Sequence, residues 1–214
     1  MGFHSTTVGS LSWARISDGK IIQKLKDKTE TSISRINKMN VLIHEAWHDA
    51  FEGQLTNVST KVSDFGTQWL FEFKDGDDTI IITADYDKRY ARTLLLRLLN
   101  PSLDFSKQIK IKPYRFTPPD KDKDITGVAV FQGGIKIEPG VSQESIPMPS
   151  ELIIKKIKTW DYTKQMEWFE QQIIDKVLPK LPKKNNQIPN VTLDTNGFIN
   201  IEDDIEENLY DGLE

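Results

Sequence analysis

The sequence predicts a mainly β protein with a few helices, and three observations predict it. In residues 68–74 every second side chain is aromatic, so the aromatic side chains share one side of a strand and Leu70, Glu72 and Lys74 share the other. The Asp75-Gly76 pair that follows is typical of a hairpin turn, and residues 79–83 are rich in β-branched side chains. From residue 86 to residue 99 the apolar period changes to that of a helix. The side of the first strand predicted to face the core carries Trp69, Phe71 and Phe73.

The remaining elements complete a recognisable order. Residues 41–58 look extended, and Gly53 marks a bend or bulge within them. After the helix, a strand is predicted over residues 109–116 and a last hairpin over residues 125–137. The order strand, strand, strand, helix, strand, strand is that of the OB fold, a five-stranded Greek-key barrel with a helix between its third and fourth strands.

We divide the chain of 214 residues into four segments. Residues 41–150 form the predicted barrel domain. Residues 1–40 are polar and locally basic, and we expect a basic N-terminal arm or hairpin there. Residues 151–181 carry an amphipathic helix, and residues 182–214 are predicted to be a linker and a disordered acidic tail.

The net charge of −4 is unevenly distributed. Seven of the 32 acidic residues lie within residues 201–214, where there is no lysine or arginine. The rest of the chain holds 28 basic residues against 25 acidic ones (32 less these 7), so a mildly basic body precedes an acidic tail. This pattern is typical of nucleic-acid-binding proteins with an interaction tail, although a solvated end explains it equally well. The predicted partner-binding residues of the tail are Leu209, Tyr210 and Leu213.

Composition excludes several other classes of protein. The chain has no cysteine, which excludes disulfides and thiolate metal sites and favours a reducing compartment. Its apolar runs are too short to cross a bilayer, and its N-terminus lacks the layout of a signal peptide. We therefore expect a cytoplasmic protein with no membrane partner and no cofactor.

One short motif points to an enzyme instead. His44, Glu45 and His48 form a literal H-E-x-x-H, which on a helix holds zinc and supplies a general base. The preceding apolar run favours a strand, on which the two histidines would lie ~13 Å apart. We therefore expect no metal site and no catalytic residue, and a zinc metallohydrolase is kept as the alternative from the enzyme class.

The signal for nucleic-acid binding is distributed along the chain. Proteins that bind single strands combine basic groups for phosphates with aromatic faces for bases. Such groups occur in the N-terminal segment, around the start of the first helix and on one face of the strand over residues 109–116, although strand lysines are often merely solvated. The candidate nucleic-acid-binding residues are Trp13, Arg15, Lys20, Lys24, Arg35, Lys38, Arg89, Tyr90, Arg92, Lys110, Lys112, Tyr114 and Arg115.

Several short motifs add a family resemblance. They are Ser34-Arg35-Ile36-Asn37-Lys38, Phe51-Glu52-Gly53-Gln54-Leu55, Phe65-Gly66-Thr67-Gln68-Trp69, Phe73-Lys74-Asp75-Gly76-Asp77, Arg92-Thr93-Leu94-Leu95, Asp104-Phe105-Ser106-Lys107, Trp160-Asp161-Tyr162-Thr163-Lys164 and Leu178-Pro179-Lys180-Leu181. Through them, most of residues 20–181 resembles the single-stranded DNA-binding proteins of tailed phages, particularly the crAss-like group. The resemblance implies an OB fold, single-stranded DNA as the ligand, no catalysis and a role in phage DNA replication, recombination or repair. It maps no individual binding residue.

The sequence thus predicts a sequence-tolerant single-stranded DNA-binding protein in the cytoplasm of a bacterial host cell. Its expected partners are single-stranded DNA and, through the acidic tail, replication or recombination proteins; self-association into a homo-oligomer is left open. A phage structural or adaptor protein is the third alternative, because a fold does not fix a function.

Overall fold

The computed structural model describes residues 10–37, 40–63, 66–119, 123–154 and 157–182. Two helices accompany the strands. Two short 3-10 turns span Gln143–Ser145 and Leu178–Lys180. The strands and helices are β1 (Leu11–Ser17), β2 (Lys20–Leu25), β3 (Ile33–Ile36), β4 (Leu42–His48), β5 (Phe51–Ser63), β6 (Gly66–Asp75), β7 (Asp78–Asp85), α1 (Arg89–Leu98), β8 (Ile109–Phe116), β9 (Ile125–Gln132), β10 (Ile135–Ile137), β11 (Ser150–Ile154), β12 (Ile157–Asp161) and α2 (Thr163–Lys176).

The first ten strands form one sheet in the spatial order β10-β9-β8-β5-β6-β7-β1-β2-β4-β3. The prediction of a mainly β protein with a few helices is confirmed. The ladders, however, describe an open sheet of ten strands rather than a closed barrel of five. The outer edge of β7 is occupied by β1, which runs parallel to it with residues 11–15 opposite residues 79–83.

Residues 1–40 were predicted to form a basic arm or hairpin, and in the described part of that segment β1, β2 and β3 are strands of the large sheet. β1 and β2 make a tight hairpin whose turn residues, Asp18 and Gly19, have φ of 53° and 74°. Positive φ at both positions gives a type I′ turn, whose twist matches that of the flanking strands. Ile16 and Ile21 lie opposite each other and enter the core, so the hairpin is fixed to the sheet by burial as well as by pairing.

β5 bends where it changes partner. Its first residues pair with β8, and from Gln54 onward it pairs with β6. The register slips between Leu55 and Asn57, close to the irregularity predicted at Gly53. A Cβ on Gly53 would lie 2.9 Å from the carbonyl oxygen of Lys74, so the two backbones meet closely there. Because of this irregularity, one strand can pair with β8 through its first residues and with β6 through the rest.

The core lies between one face of the sheet and the two helices. Trp69, Phe71 and Phe73 are at most 1% exposed, which confirms the predicted inner face of β6. From α1 the core receives Leu94, Leu95 and Leu98, and from α2 it receives Met166, Phe169 and Ile173. Tyr86 donates from its hydroxyl to Glu170 at 2.9 Å and links β7 to α2.

The segment over residues 151–181, which is predicted to carry an amphipathic helix, also contains strands. β11 and β12 form a two-stranded sheet of their own, and α2 follows them. The side chain of Asp161 accepts hydrogen bonds from the backbone N–H and the hydroxyl of Thr163, at 2.8 and 2.6 Å. Such a local bond favours the end of a strand and the start of a helix, and α2 begins at Thr163.

Candidate nucleic-acid interface

The strands β7, β1, β2, β4 and β3 present one surface on the side away from the core, which we call the outer face. Residues that lie opposite each other in a ladder share a face. Arg15 is opposite Ile22, Ile22 is opposite Trp47, and Glu45 is opposite Lys24. The register therefore gathers four of the predicted nucleic-acid-binding residues on the outer face: Trp13, Arg15, Lys24 and Arg35.

The centre of the outer face is the carboxylate of Glu45, which is 1% exposed. Arg35 donates to it twice, from Nε to Oε2 at 3.1 Å and from Nη2 to Oε1 at 3.0 Å. Arg15 donates from Nη2 to Oε1 at 3.1 Å, and the indole of Trp47 donates from Nε1 to Oε2 at 3.1 Å. These four bonds satisfy the carboxylate and fix the orientation of two guanidinium groups.

Two guanidinium groups contact the single carboxylate of Glu45. Burial by itself raises the pKa of the Glu45 carboxyl, but the hydrogen bonds from Arg35 and Trp47 and the charges of Arg15 and Arg35 outweigh it and lower the pKa below its usual value. Glu45 is therefore ionised at neutral pH, and two arginines share its single charge. Both arginine side chains keep part of their surface exposed, 24% for Arg15 and 33% for Arg35.

Two tryptophans accompany the arginines. Trp13 is half-buried on β1, and Trp47 is 40% exposed on β4. Trp47 was not among the predicted residues, although its alternation with Ile43 and Glu45 is a signal that places all three on one side of a strand. The outer face thus offers indole surface next to fixed positive charge.

The outer face opens into a cleft where β1 and β2 separate. Beyond the pair formed by Ala14 and Gln23, β1 follows β7 while β2 follows β4. A cleft of about 660 Å³ lies between them, and Trp13, Lys24 and Ile43 are among the residues that line it. Its volume falls in the range of sites that hold small organic groups.

A second group of predicted residues lies at the β1–β2 turn. The hydroxyl of Tyr90 accepts a 2.7 Å hydrogen bond from the backbone N–H of Gly19, and burial raises the pKa of this tyrosine. Arg115 donates to Asp18 and to Asp124, at 2.5 Å in each case. Tyr90 and Arg115 are therefore held by contacts that attach the hairpin to α1 and β8.

The outward side of β8 is as predicted. Lys110, Lys112 and Tyr114 share it and alternate with the buried side chains of Ile109 and Ile111. Along the sheet, β5, β6 and β7 stand between β8 and the β1 strand that carries Arg15. Among the described residues no ladder joins this stripe to the Glu45 cluster, although β8 contacts β2, the strand that carries Lys24.

Lys20 belongs to a small charge cluster on the surface. It hydrogen-bonds to Asp49, and this bond is the main cause of the lowered pKa of that carboxyl, to which the charge of Lys112 also contributes. Lys20 is therefore paired with Asp49 at the surface.

Arg89 and Arg92 lie between the two helices, away from the outer face. The guanidinium carbon of Arg92 is 3.9 Å from the ring centroid of Tyr162, and its Nη1 donates to the side-chain oxygen of Gln165 at 3.3 Å. Arg89 is exposed, and both arginines line a cavity of about 330 Å³ shared with Phe169. Arg92 thus ties α1 to the start of α2.

The remaining predicted residues lie outside the described part of the chain. They are Lys38 in the N-terminal segment and Leu209, Tyr210 and Leu213 in the acidic tail.

The zinc motif lies on a strand. His44 and His48 occupy one side of β4, where the hydroxyl of Ser34 is 2.8 Å from Nδ1 of His44. Glu45 points to the opposite side of the strand and is engaged by Arg15 and Arg35. A general base has to reach the metal-bound water that both histidines hold, and this arrangement does not allow it. Within the described residues, no group of three or more His, Asp or Glu side chains is placed to hold a metal ion.

Comparison with known proteins gives no further constraint: no family model, no curated protein and no solved structure matches the chain. Of the helices in the described residues, none combines the length and apolar character needed to cross a membrane.

Proposed function

We propose that the protein binds single-stranded DNA, without a catalytic step, through its outer face. The observation that carries the proposal is the pair of arginines fixed on Glu45 beside Trp13 and Trp47. Guanidinium groups bind phosphate oxygens, and exposed indoles stack on bases of any sequence. Neither contact reads base edges, which favours sequence-tolerant binding.

The strand order supports an OB-type core for this function. β5, β6 and β7 form an antiparallel meander, α1 follows, β8 pairs with β5, and β9 pairs with β8. These pairings agree with a five-stranded Greek-key arrangement in which β6 and β7 are the second and third strands. OB-folds bind oligonucleotides on the face of those two strands, and here β1 extends that face toward the Glu45 cluster.

The proposal also includes the process in which the protein acts and the compartment in which it acts. The resemblance to single-stranded DNA-binding proteins of tailed phages favours a role in phage DNA replication, recombination or repair in the host cytoplasm. The acidic tail would then recruit the proteins that act on the bound strand.

Titration with poly-dT at two salt concentrations tests the proposal. We expect quenching of tryptophan emission and an affinity that falls as salt rises, because cations are released from the strand. With Arg15, Lys24 and Arg35 as the main contacts, the log–log slope is expected near −2, at about −0.7 per neutralised phosphate. A flat salt dependence, or a preference for duplex DNA, would contradict the proposal.

Charge reversal on the outer face provides a residue-level test. Lys24→Glu is expected to weaken poly-dT binding about tenfold. Because Lys24 is half-buried, the melting temperature of the variant is measured as well, to show that it is folded. Lys136→Glu on β10 is the matched control, because Lys136 is an exposed strand lysine at the far end of the sheet. Equal affinity losses in the two variants would indicate a general charge effect and no defined site.

An adaptor protein is the second candidate, and one observation favours it. Apolar side chains with 46% to 64% exposure concentrate on β3, β4 and the residue before β4. Exposed apolar patches commonly mark protein–protein contacts. An absence of poly-dT binding at low salt would favour the adaptor over the DNA-binding protein.

Removal of residues 201–214 tests whether the acidic tail competes with DNA for the basic face. If the tail competes with DNA, its seven carboxylates occupy the basic face in place of DNA phosphates, most strongly when salt is low. We therefore expect the truncated chain to bind poly-dT more tightly at low salt and equally at high salt, with unchanged melting. Unchanged affinity at low salt would show that the tail does not compete with DNA.

A further inference from the structure

We propose that the cleft between β1 and β2 holds one nucleotide of the bound strand, with its base turned out of the stack. The proposal rests on the proposed function, because the single-stranded DNA on the outer face supplies that nucleotide. The ligand of the cleft is therefore a nucleoside phosphate, which combines an aromatic ring, a polar ring edge and a negative charge. The shape, the walls and the charge of the cleft each fit one of these parts.

A split in the sheet forms the cleft. β1 and β2 pair over residues 14–17 and 20–23, and beyond them β1 stays with β7 while β2 stays with β4. Residues 11–13 line the cleft, and in the described part of the chain no ladder pairs their side that faces β2. Their backbone N–H and C=O groups can bond to the polar edge of a base. An edge of three residues is short for an added peptide strand, whose affinity comes from main-chain hydrogen bonds.

The walls of the cleft suit an aromatic ring. Trp13 lines it and is half-buried, and the exposed side chains of Leu11, Val41 and Leu42 also line it. Burial of such apolar surface under a ring is favourable. Sites of about 300–1,000 Å³ hold small organic ligands, so the cleft of about 660 Å³ has room for a nucleotide.

The charge of the cleft suits a phosphate. Its charged side chains are Lys24 and Lys26, and none of the described residues that line it is an Asp or a Glu. Lysine binds phosphate as a point charge. An uncharged aromatic ligand would use the walls alone, and a phosphate ion would use the lysines alone. A nucleotide uses both.

The position of the cleft connects it to the outer face. Trp13 and Arg15 lie on the same side of β1 two residues apart, which is ~7 Å along a strand. Lys24 lies opposite Glu45 in the ladder between β2 and β4. A strand that contacts Arg15 can therefore place a neighbouring base in the cleft. A base of single-stranded DNA has no pairing to lose, so turning it outward costs less than in a duplex.

Titration of the full chain with dTMP, thymidine and inorganic phosphate tests the composition of the site. We expect dTMP to bind once per chain, at least about tenfold more tightly than thymidine or phosphate, because only dTMP contacts both the apolar walls and the lysines. In nitrogen-15 NMR spectra, dTMP should shift the indole N–H signal of Trp13, assigned with Trp13→Phe, and not that of the buried Trp69. Equal affinities for dTMP and thymidine, or no binding of dTMP, would overturn the proposal.

Two charge reversals in one segment test the location of the site. Lys26 and Lys28 are both exposed, but only Lys26 is among the residues that line the cleft. We expect the affinity for dTMP to fall at least about tenfold in Lys26→Glu and less than about twofold in Lys28→Glu, because salt screens the more distant charge. Both variants should melt as the wild-type chain does, since exposed lysines contribute little to folding. Equal losses of affinity would overturn the site.

A dT oligomer that covers the outer face separates this inference from the proposed function. Because the bound strand fills the cleft, the oligomer should displace dTMP, and Lys26→Glu should weaken oligomer binding more than Lys28→Glu does. A complex that holds dTMP and the oligomer together would overturn the inference. A chain that binds the oligomer but not dTMP would also overturn it and leave the proposed function in place. A chain that binds dTMP at Trp13 but not the oligomer would remove the proposed function and leave a site for free nucleotides.

Discussion

Replacement of Glu45 by alanine is expected to lower the free energy of unfolding by about 3 kcal/mol. Removal of one partner from a buried ion pair typically costs roughly 3–5 kcal/mol, because the other charge stays desolvated and unpaired. Here Arg15 and Arg35 are partly exposed and can turn toward water, which places the effect at the lower end of that range. Trp47 also loses its acceptor. Chemical denaturation of the two chains measures the difference.

The pH dependence of this difference has a definite sign. The pKa of Glu45 is lowered in the folded chain, so its contribution is present above the ordinary carboxyl pKa, roughly 4.3, and is lost as pH falls through the folded value. Wild-type and Glu45→Gln stabilities are therefore expected to differ at pH 7 and to converge as pH falls through the lowered pKa of Glu45. A difference that persists unchanged at low pH would show that the charge of Glu45 is not what stabilises the cluster.

A matched control separates the buried cluster from ordinary surface pairing. Glu138 is 65% exposed and forms a 3.0 Å ion pair with Lys136. Exposed pairs contribute little, roughly 0–1 kcal/mol, so Glu138→Ala is expected to be nearly neutral. The same Glu45→Ala chain is also expected to bind poly-dT more weakly, because its arginines are no longer held in place.

Local signals in the sequence are sufficient to predict the strands and the helix in the middle of the chain. The alternation in residues 68–74 and the hairpin at Asp75-Gly76 correspond to β6 and β7, and the strand predicted over residues 109–116 is β8 without a shift at either end. The first helix was predicted a few residues too long, because Tyr86 packs on the core from a turn that precedes α1. Each of these elements has one buried side, which leaves a clear period in the sequence.

The N-terminal strands could not be predicted in this way. Ile21 and Ile22 are adjacent, and both are buried, one on the core side and one on the outer face. A strand covered on both sides loses its alternation, and the surrounding serines and lysines then suggest a loop. The parallel pairing of β1 with β7 joins residues almost seventy positions apart, which no local pattern reveals.

The sequence predicts which types of residue take part in the candidate site, but it does not predict how they are arranged in space. The sequence indicates Arg15 and Arg35 by their charge. Glu45, which positions both arginines, is indicated only as part of a zinc motif. The bond from Arg15 to Glu45 spans 30 positions and depends on the order β1-β2-β4-β3. Trp47 was overlooked for the same reason, since its neighbours on the outer face come from other strands.

Trp69→Ala is expected to lower the free energy of unfolding by roughly 3–5 kcal/mol, the usual cost of deleting a buried aromatic side chain. Trp69 is 1% exposed and stacks on Tyr86 with ring centroids 5.8 Å apart. Through the bond from Tyr86 to Glu170, this contact also supports the docking of α2. Thermal and urea unfolding of the two chains measure the loss.

A second substitution at the same position separates packing from stacking on DNA. The indole N–H of Trp69 has no hydrogen-bond partner among the described residues, so the native side chain carries a desolvation cost. Trp69→Phe keeps most of the ring and removes that donor, and we expect it to cost less than about 1.5 kcal/mol. Poly-dT affinity should be unchanged in Trp69→Phe, because the ring faces the core. A folded Trp69→Phe chain that fails to bind poly-dT would place the binding face on the other side of β6.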